Sequence, residues 1–241
     1  MNSVVSPESL RLPSFRLDNK VALVTGAGTG LGAAIAIGLA ESGAQVILVG
    51  RTRATLDQSA AAILGRGGKS RAVVCDVTDS AAIRREIAAL PRLDVLINNA
   101  GTNFPEPFVD VSDAHLDSML DLNVRAAFVV AQSAARKMLE APDRATEGGA
   151  IINISSQMGH VGSPNRTVYC MTKHALEGLT KAMAVELAPK NIRVNSIGPT
   201  FTDTPLVRRI VDTPEKRDFV MSRIPMGKLC RLEDLMSAAV F

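Results

Sequence analysis

Aromatic side chains are scarce in this sequence. Its 241 residues contain no tryptophan, seven phenylalanines and a single tyrosine, Tyr169. A core with so few rings must be filled by alanine, valine, isoleucine and leucine. A need to fill volume in the core does not by itself explain a single tyrosine, so Tyr169 is a candidate for a chemical role.

Cysteine is also rare, and long apolar runs are absent. Cys75, Cys170 and Cys230 form no C-x-x-C pair, so we expect free thiols in a reducing compartment, without a disulfide framework or a metal site. No apolar stretch reaches the ~18 residues of a membrane helix, and the N-terminus lacks a secretion signal. We therefore expect a cytoplasmic protein with no membrane partner, beginning with a flexible lead-in over residues 1–14.

Neither sign of charge is in large excess. Lys and Arg number 27 against 24 Asp and Glu, the net charge is +3, and 46% of the residues are hydrophobic. This balance is typical of a globular protein and excludes a disordered or collagen-like chain. The basic residues form no block, so nucleic acid is not an expected partner.

Short apolar runs alternate with helical stretches, and neither a linker nor an internal repeat interrupts them. Such runs are typical of strands buried on both faces of a sheet. The alternation predicts one α/β domain over residues 15–241, a doubly wound parallel sheet of the Rossmann type, with residues 200–227 as a mobile substrate-side lobe. The predicted strands cover 20–25, 45–49, 71–75, 93–97, 150–155 and 191–197, and the predicted helices 30–42, 53–64, 80–90, 112–140 and 165–187.

A glycine-rich loop follows the first predicted strand. Residues 25–32 read TGAGTGLG and open an alanine-rich helix. Glycines permit a tight turn and let backbone N–H groups approach a pyrophosphate, while the helix N-terminus attracts the anion. A plain strand-to-helix turn would also explain glycines, but the position between a buried strand and a helix favours a dinucleotide site.

The end of the second predicted strand bears on the choice of dinucleotide. An acidic residue there would hold a ribose 2′-hydroxyl, whereas this chain has Arg51 and Arg53 in the segment GRTR. A guanidinium suits a 2′-phosphate and favours NADP over NAD, although both arginines could instead be solvated residues at a helix start. Asp76, after the third strand, could accept a hydrogen bond from an adenine amino group or cap the next helix.

Tyr169 and Lys173 are four residues apart on a predicted helix and share one face. A free phenol has a pKa of about 10, and a nearby ammonium would lower it, which would fit Tyr169 for acid–base work. Ser155 or Ser156, at the end of the preceding strand, could orient a substrate oxygen toward the phenol. Taken alone, such a Tyr/Lys pair could equally be a surface feature without chemistry.

Together these motifs resemble the short-chain dehydrogenase/reductase family. The resemblance rests on TGAGTGLG at 25–32, NNAG at 98–101, Asn123 in DLNV, the serine after IINIS, and YCMTK at 169–173. It extends from about Phe15 to the end of the chain. The local sequence around NNAGTNFPEPF is similar to that of the family members called gluconate 5-dehydrogenase and 2-deoxy-D-gluconate 3-dehydrogenase.

The resemblance implies a catalytic set of four residues. The family's serine lies thirteen residues before its tyrosine, which selects Ser156 here. Tyr169 would give or take the hydroxyl proton, and Lys173 would lower the pKa of Tyr169 and hold the nicotinamide ribose. Ser156 would bind the carbonyl, and Asn123 would help a proton relay through water.

The resemblance also implies which residues contact the cofactor. The NNAG loop would pack against it, with Thr25 and Asn99 supporting the geometry of sheet and loop. The family's Pro-Gly after the sixth strand is reversed here, as Gly198-Pro199. The implied contacts are Gly26, Gly28, Thr29, Gly30, Leu31, Gly32, Arg51, Asp76, Val77, Asn99, Ala100, Gly101, Tyr169, Lys173, Pro199, Thr200 and Thr202.

Polar residues near these motifs are candidates for binding a substrate. Gln157, His160 and Asn103, with Asn165 and the loop 200–206, suit a sugar or sugar acid, although ordinary surface polarity explains several of them equally well. The implied function is an NADP-preferring oxidoreductase, with NAD as the alternative cofactor, that moves a hydride between nicotinamide and a secondary alcohol or ketone on a small molecule. The alternatives are a 3-oxoacyl-ACP reductase-like enzyme and a non-catalytic NADP(H) sensor on the same fold.

The sequence ends inside an apolar stretch, residues 238–241. Family members continue to a last strand that closes the sheet edge, so we expect that strand to be missing from this sequence. An exposed parallel edge favours association. We therefore expect a homo-oligomer, a dimer or the family's tetramer.

Overall fold

One parallel sheet of six strands organises the chain. The computed structural model describes residues 14–241, except the side chains of residues 206, 209 and 210. The predicted lead-in, apart from Ser14, lies outside the described residues. The strands, in the spatial order β3-β2-β1-β4-β5-β6, are β1 (Val21–Thr25), β2 (Gln45–Gly50), β3 (Lys69–Val74), β4 (Val95–Asn98), β5 (Gly149–Ile154) and β6 (Ile192–Ile197). Every neighbouring pair is parallel, which confirms the predicted doubly wound sheet.

Helices connect the strands and cover both faces of the sheet. They are α1 (Gly30–Glu41), α2 (Arg53–Leu64), α3 (Ser80–Ala88), α4 (Asp113–Leu120), α5 (Ala127–Leu139), α6 (Arg144–Glu147), α7 (Thr167–Leu187), α8 (Pro205–Ile210), α9 (Pro214–Met221) and α10 (Leu232–Val240). In the part of the chain that the structure describes, no helix combines the length and the apolarity needed to cross a membrane.

Alternate residues of the strands feed two separate aliphatic cores. Leu23 and Leu96 point to one face and pack with side chains of α3 and α5. Ala22 and Ile97 point to the other face and pack with α1 and α2. A sheet buried on both faces has apolar residues at consecutive positions, which is why the strands read as continuous apolar runs.

The helix predicted over residues 112–140 is interrupted. Ser112 is its N-cap as expected, since the hydroxyl accepts a hydrogen bond of 3.3 Å from the His115 amide. After α4, however, residues 121–126 form a π-helical segment before α5 begins. The predicted single helix was wrong because a π-helical turn leaves the apolar periodicity on either side intact. Such turns are frequent at functional sites, and this one contains Asn123.

The segment 200–227 is more regular than predicted. Thr204 and Thr213 cap two short helices, accepting hydrogen bonds of 3.2 Å from Val207 and 3.4 Å from Lys216. Proline occupies the first turn of each helix, where its missing N–H costs nothing. The threonine-proline pairs therefore start α8 and α9.

Candidate active site

The carboxyl ends of the strands surround a cavity of about 490 Å³. A cleft at this edge is the usual ligand site of a doubly wound sheet. Most residues implied as cofactor contacts line it, namely Gly26, Thr29, Gly30, Leu31, Gly32, Arg51, Asp76, Val77, Asn99, Ala100, Gly101, Tyr169, Lys173, Pro199, Thr200 and Thr202, together with Ser156. Gly28 is not among the lining residues, because it packs against Thr55 of α2.

The glycine loop presents the start of α1 to this cavity. Gly26 and Gly30 have φ angles of 65° and 56°, in the left-handed region that favours glycine. Thr29, the N-cap of α1, makes no side-chain cap hydrogen bond, and the first turn of α1 holds no acidic residue. The amide groups and the positive end of the helix dipole are thus left for an anion, so the loop fits the pyrophosphate of a dinucleotide.

Gly32 is required by close packing. A Cβ atom at this position would overlap the Gly26 carbonyl oxygen and lie 2.5 Å from Asn99 Nδ2. We expect Gly32→Ala to lower the free energy of unfolding by about 1–3 kcal/mol because backbone must move to admit the methyl group. Urea unfolding measures the change.

Gly178→Ala is the matched control for Gly32→Ala. Gly178 lies on the exposed side of α7, and no atom lies within 4 Å of the place that a Cβ atom would take there. Alanine at this position should stabilise the helix by about 0.5–1 kcal/mol. If the two variants shifted stability alike, close packing at Gly32 would not be the cause.

Thr25 and Asn99 tie the glycine loop to the neighbouring strand. The Thr25 hydroxyl accepts hydrogen bonds from the Asn99 and Ala100 amides, at 2.9 and 3.0 Å. Asn99 Nδ2 donates to the Thr25 carbonyl at 2.8 Å. These bonds join the ends of β1 and β4, which is the supporting geometry expected of both residues.

The two arginines after β2 have different surroundings. Arg53 forms an ion pair with Asp57, one turn along α2, at 2.9 Å, so it behaves as a solvated residue at the helix start. Arg51 lines the cavity and enters no ion pair with any residue the structure describes. Of the two arginines, Arg51 is therefore the candidate for a contact with a ribose phosphate.

Asp76 lies at the cavity and does not cap α3. The N-cap of that helix is Asp79, whose carboxylate accepts from the Ala81 and Ala82 amides. Asp76 instead accepts 3.0 and 2.8 Å hydrogen bonds from the Thr78 amide and hydroxyl. The alternative that Asp76 caps α3 was therefore wrong. The cap is Asp79, an aspartate three residues further along the same turn.

Tyr169, Lys173 and Ser156 come together at the inner wall of the cavity. The Lys173 Nζ lies 5.6 Å from the centroid of the Tyr169 ring and donates a 2.8 Å hydrogen bond to the Ile154 carbonyl. Ser156 Oγ accepts from the Met158 amide at 3.2 Å, which fixes its direction. The three side chains occupy α7 and the end of β5, the places where the sequence put them.

The pKa of Tyr169 lies above its ordinary value, whereas the sequence predicted a value lowered by Lys173. Burial raises the pKa of Tyr169 above its ordinary value, while the hydroxyl of Ser156 and the guanidinium of Arg166 lower it in part. Lys173 is itself buried, which lowers its own pKa to about 8. A phenol in this setting stays protonated through the neutral range.

Asn123 lies behind the cavity wall and is fully engaged. Its Oδ1 accepts from the Thr102 amide at 2.9 Å, and its Nδ2 donates to the Thr102 carbonyl at 2.9 Å and to the Thr172 hydroxyl at 3.2 Å. The side chain thus joins the π-helical segment to the loop after β4 and to α7. Both of its amide protons are engaged in these bonds, and the expected relay through water stays a prediction.

The three residues implied for the substrate do not line this cavity. His160 is exposed and faces Glu177 at 3.5 Å, and Gln157 opens the short turn after β5. Asn103 Oδ1 is buried and accepts no hydrogen bond from any described residue. The backbone of the 200–206 loop borders the site, but the side chain of Leu206 lies outside what the structure describes.

Sequence reasoning missed Arg166. This half-buried residue precedes α7, three positions before Tyr169, and forms no ion pair with a described residue. Burial lowers its pKa, and its charge reaches Tyr169. The spacing of three residues between Arg166 and Tyr169 could have indicated that the two side chains lie close together. The predicted helix began at Asn165, which in fact has a φ of 58° and ends the preceding loop.

Comparison with known proteins identifies the family. The family model described as short chain dehydrogenase matches residues 20–215. The chain is 38% identical to L-xylulose reductase of Bos taurus, over 94% of this chain and 90% of that protein. It is 36% identical to gluconate 5-dehydrogenase of Gluconobacter oxydans, over 94% and 88%. A solved gluconate 5-dehydrogenase from Burkholderia cenocepacia, in complex with NADP and tartrate, superposes with a TM-score of 0.87 at 33% identity, over 95% and 89%.

The fold and the cavity define a doubly wound protein with a dinucleotide-type loop and a Ser/Tyr/Lys cluster. The chain belongs to the short chain dehydrogenase family. The prediction of an oxidoreductase from that resemblance is confirmed.

Proposed function

We propose that the protein is an NADP-preferring oxidoreductase that interconverts a secondary alcohol and a ketone on a sugar or sugar acid. The observation that carries the proposal is the convergence of the glycine loop, Arg51, Ser156, Tyr169 and Lys173 on one cavity. The NADP complex of the Burkholderia relative supports the cofactor. The names of the xylulose and gluconate enzymes support the substrate class.

Each of the clustered side chains has a role in the proposed reaction. When bound, NADP(H) supplies or accepts the hydride. Ser156 and Tyr169 hold the carbonyl oxygen, and the phenol donates its proton as charge develops on that oxygen. Lys173 faces the phenolate that is left behind, and Asn123 keeps the loop after β4 in place for the nicotinamide side of the cavity.

A panel of carbonyl compounds with NADPH tests the proposal. Keto sugar acids, neutral ketoses and 3-ketoacyl thioesters are supplied in turn, and NADPH absorbance is followed. We expect turnover with the sugar-derived compounds. Turnover with the thioesters alone would identify an acyl reductase instead. NADPH binding without turnover of any compound would identify a sensor.

Arg166 supports a sugar acid over a neutral sugar. A half-buried guanidinium with no carboxylate partner among the described residues is suited to pair with a substrate carboxylate. The unpaired, buried Asn103 Oδ1 is an acceptor for a substrate hydroxyl. The backbone hydrogen bond from Glu106 to the Asn165 carbonyl, 3.1 Å long, holds the loop of Asn103 beside Arg166.

We expect Arg166→Gln to raise the KM for a keto-gluconate by about 10-fold or more, because a charge-assisted pair contributes about 1.5–3 kcal/mol. The KM for a neutral ketose such as L-xylulose should stay unchanged. Steady-state kinetics with both compounds measure the difference. Arg125→Gln is the control, since Arg125 is exposed and paired with Asp121 at 3.4 Å. An equal rise for both compounds would argue against carboxylate recognition by Arg166.

We also propose a homotetramer located in the cytoplasm. Large apolar side chains are exposed on two helices, Phe128 on α5 and Met171 and Val185 on α7, and such surfaces often form contacts between subunits. The three cysteines are free thiols, which suits a reducing compartment. Light scattering on the purified protein measures the number of subunits.

A further inference from the structure

Glu177 is a buried carboxylate that the proposed reaction does not use. It follows Lys173 by one turn of α7 and is only 6% exposed. Its Oε2 accepts a 2.9 Å hydrogen bond from the Ser196 hydroxyl of β6. Its Oε1 accepts no hydrogen bond from a described residue, and His160 Nε2 approaches it at 3.5 Å. A charge buried this deeply is costly unless another charge balances it.

Burying the positive charge of Lys173 also costs free energy. Its side chain is 5% exposed, and its single hydrogen bond to a described residue is the one to the Ile154 carbonyl. Burial lowers the pKa of Lys173, and Glu177 is the group that raises it again. Residues at i and i+4 lie on the same helix face, so the two side chains leave α7 on the same side.

The surrounding backbone leaves the carboxylate little freedom. Gly159 lies against it, since a Cβ atom there would stand 3.0 Å from Glu177 Cγ, 2.9 Å from Ser155 Oγ and 3.1 Å from the Lys173 carbonyl oxygen. His160 is exposed, and its Nε2 lies 3.5 Å from Glu177 Oε1 at the surface end of this cluster. The carboxylate is therefore enclosed by α7, β6 and the turn after β5.

Taking the proposed function as given, we propose that Glu177 is a positioning residue whose buried carboxylate keeps Lys173 in its charged form beside Tyr169. Without the carboxylate, the low-dielectric surroundings would favour the neutral amine. A neutral Lys173 could no longer balance a phenolate at Tyr169. The pair thus sets the upper limit of the pH range in which the site is ready for ketone reduction.

The direct test measures the protonation of Lys173 without any turnover. Acetylation by acetic anhydride requires the free amine, and mass spectrometry of the Lys173 peptide gives its rate against pH. The wild-type midpoint should lie near 8. In Glu177→Gln it should fall by roughly one pH unit, since the loss of an opposite charge on the same helix face favours the neutral amine. Glu177→Asp, which keeps the charge, should stay near the wild-type midpoint.

Two further measurements complete the test. The alkaline limb of kcat/KM for reduction should move to lower pH in Glu177→Gln by the same amount as the labelling midpoint. If Glu177→Gln does not fold, Glu177→Leu with Ser196→Ala removes both partners of the buried hydrogen bond and carries the same expectation. An unchanged labelling midpoint in a folded, uncharged variant would overturn the role of Glu177. If the labelling midpoint shifted in Glu177→Gln but the wild-type protein turned over none of the carbonyl compounds, only the proposed function would be overturned.

Discussion

Tyr169→Phe should lower kcat for ketone reduction by about 10²–10⁴-fold, the usual contribution of a positioned proton donor. The change removes the phenolic hydroxyl and keeps the ring that packs beneath Lys173. Because burial raises the pKa of Tyr169, the wild-type group is a protonated donor near neutral pH. Oxidation of the alcohol needs the phenolate instead, so its rate should rise with pH toward that pKa. Steady-state kinetics in both directions measure these effects.

The binding of NADPH should change little in Tyr169→Phe, within a few-fold by fluorescence titration. Lys181→Gln is the control on the same helix, since Lys181 is exposed, and it should keep wild-type turnover. The chain has no second tyrosine, so the alkaline absorbance change of phenolate should vanish in Tyr169→Phe. Wild-type turnover in a variant lacking that signal would exclude Tyr169 as the proton donor.

Arg51→Asp should invert the cofactor preference. We expect the ratio of kcat/KM for NADPH over NADH to fall by about 10²-fold or more, because a charge-assisted pair is lost and a like charge opposes the 2′-phosphate. The new carboxylate can also accept a hydrogen bond from the 2′-hydroxyl of NADH. Parallel kinetics with the two cofactors, at one salt concentration, measure the ratio.

Arg53→Ala is the matched control for Arg51→Asp. It removes a neighbouring arginine that is paired with Asp57 and is exposed, so the cofactor ratio should not move. A KM for NADPH that stayed at the wild-type value in Arg51→Asp would refute the assignment of Arg51. A fall of similar size in Arg53→Ala would point to general charge on this surface rather than to one contact.

The sheet was predictable because its signal is local and repeated. Each strand is a short run of apolar residues with a core on both sides, such as Ala22 and Leu23, so the pattern does not depend on what packs against it. The break at residues 121–126 was not predictable, since the apolar spacing continues across it. The starts of α8 and α9 were readable from Thr204-Pro205 and Thr213-Pro214, a signal the prediction did not use.

The positions of site residues were easier to predict than their energetics. Motif and strand ends placed Ser156, Tyr169 and Lys173, because parallel strands bring their carboxyl ends to one edge. The direction of the Tyr169 pKa depends on how deeply the phenol is buried, which no spacing reveals. Arg166 and Glu177 were not predicted for a related reason. Their proposed roles depend on which charged groups lie near them in the folded chain, and the sequence does not show this.

The loops on the two sides of the cavity are attached very differently. The glycine loop is bonded to β4 through Thr25 and Asn99. The segment 200–227 is instead held by a short bridge between Thr202 and Cys230, and α9 is largely exposed. Changes in that segment disturb few buried contacts and so cost little stability. Substitutions in the exposed part of that segment should therefore be tolerated more readily than substitutions in the glycine loop.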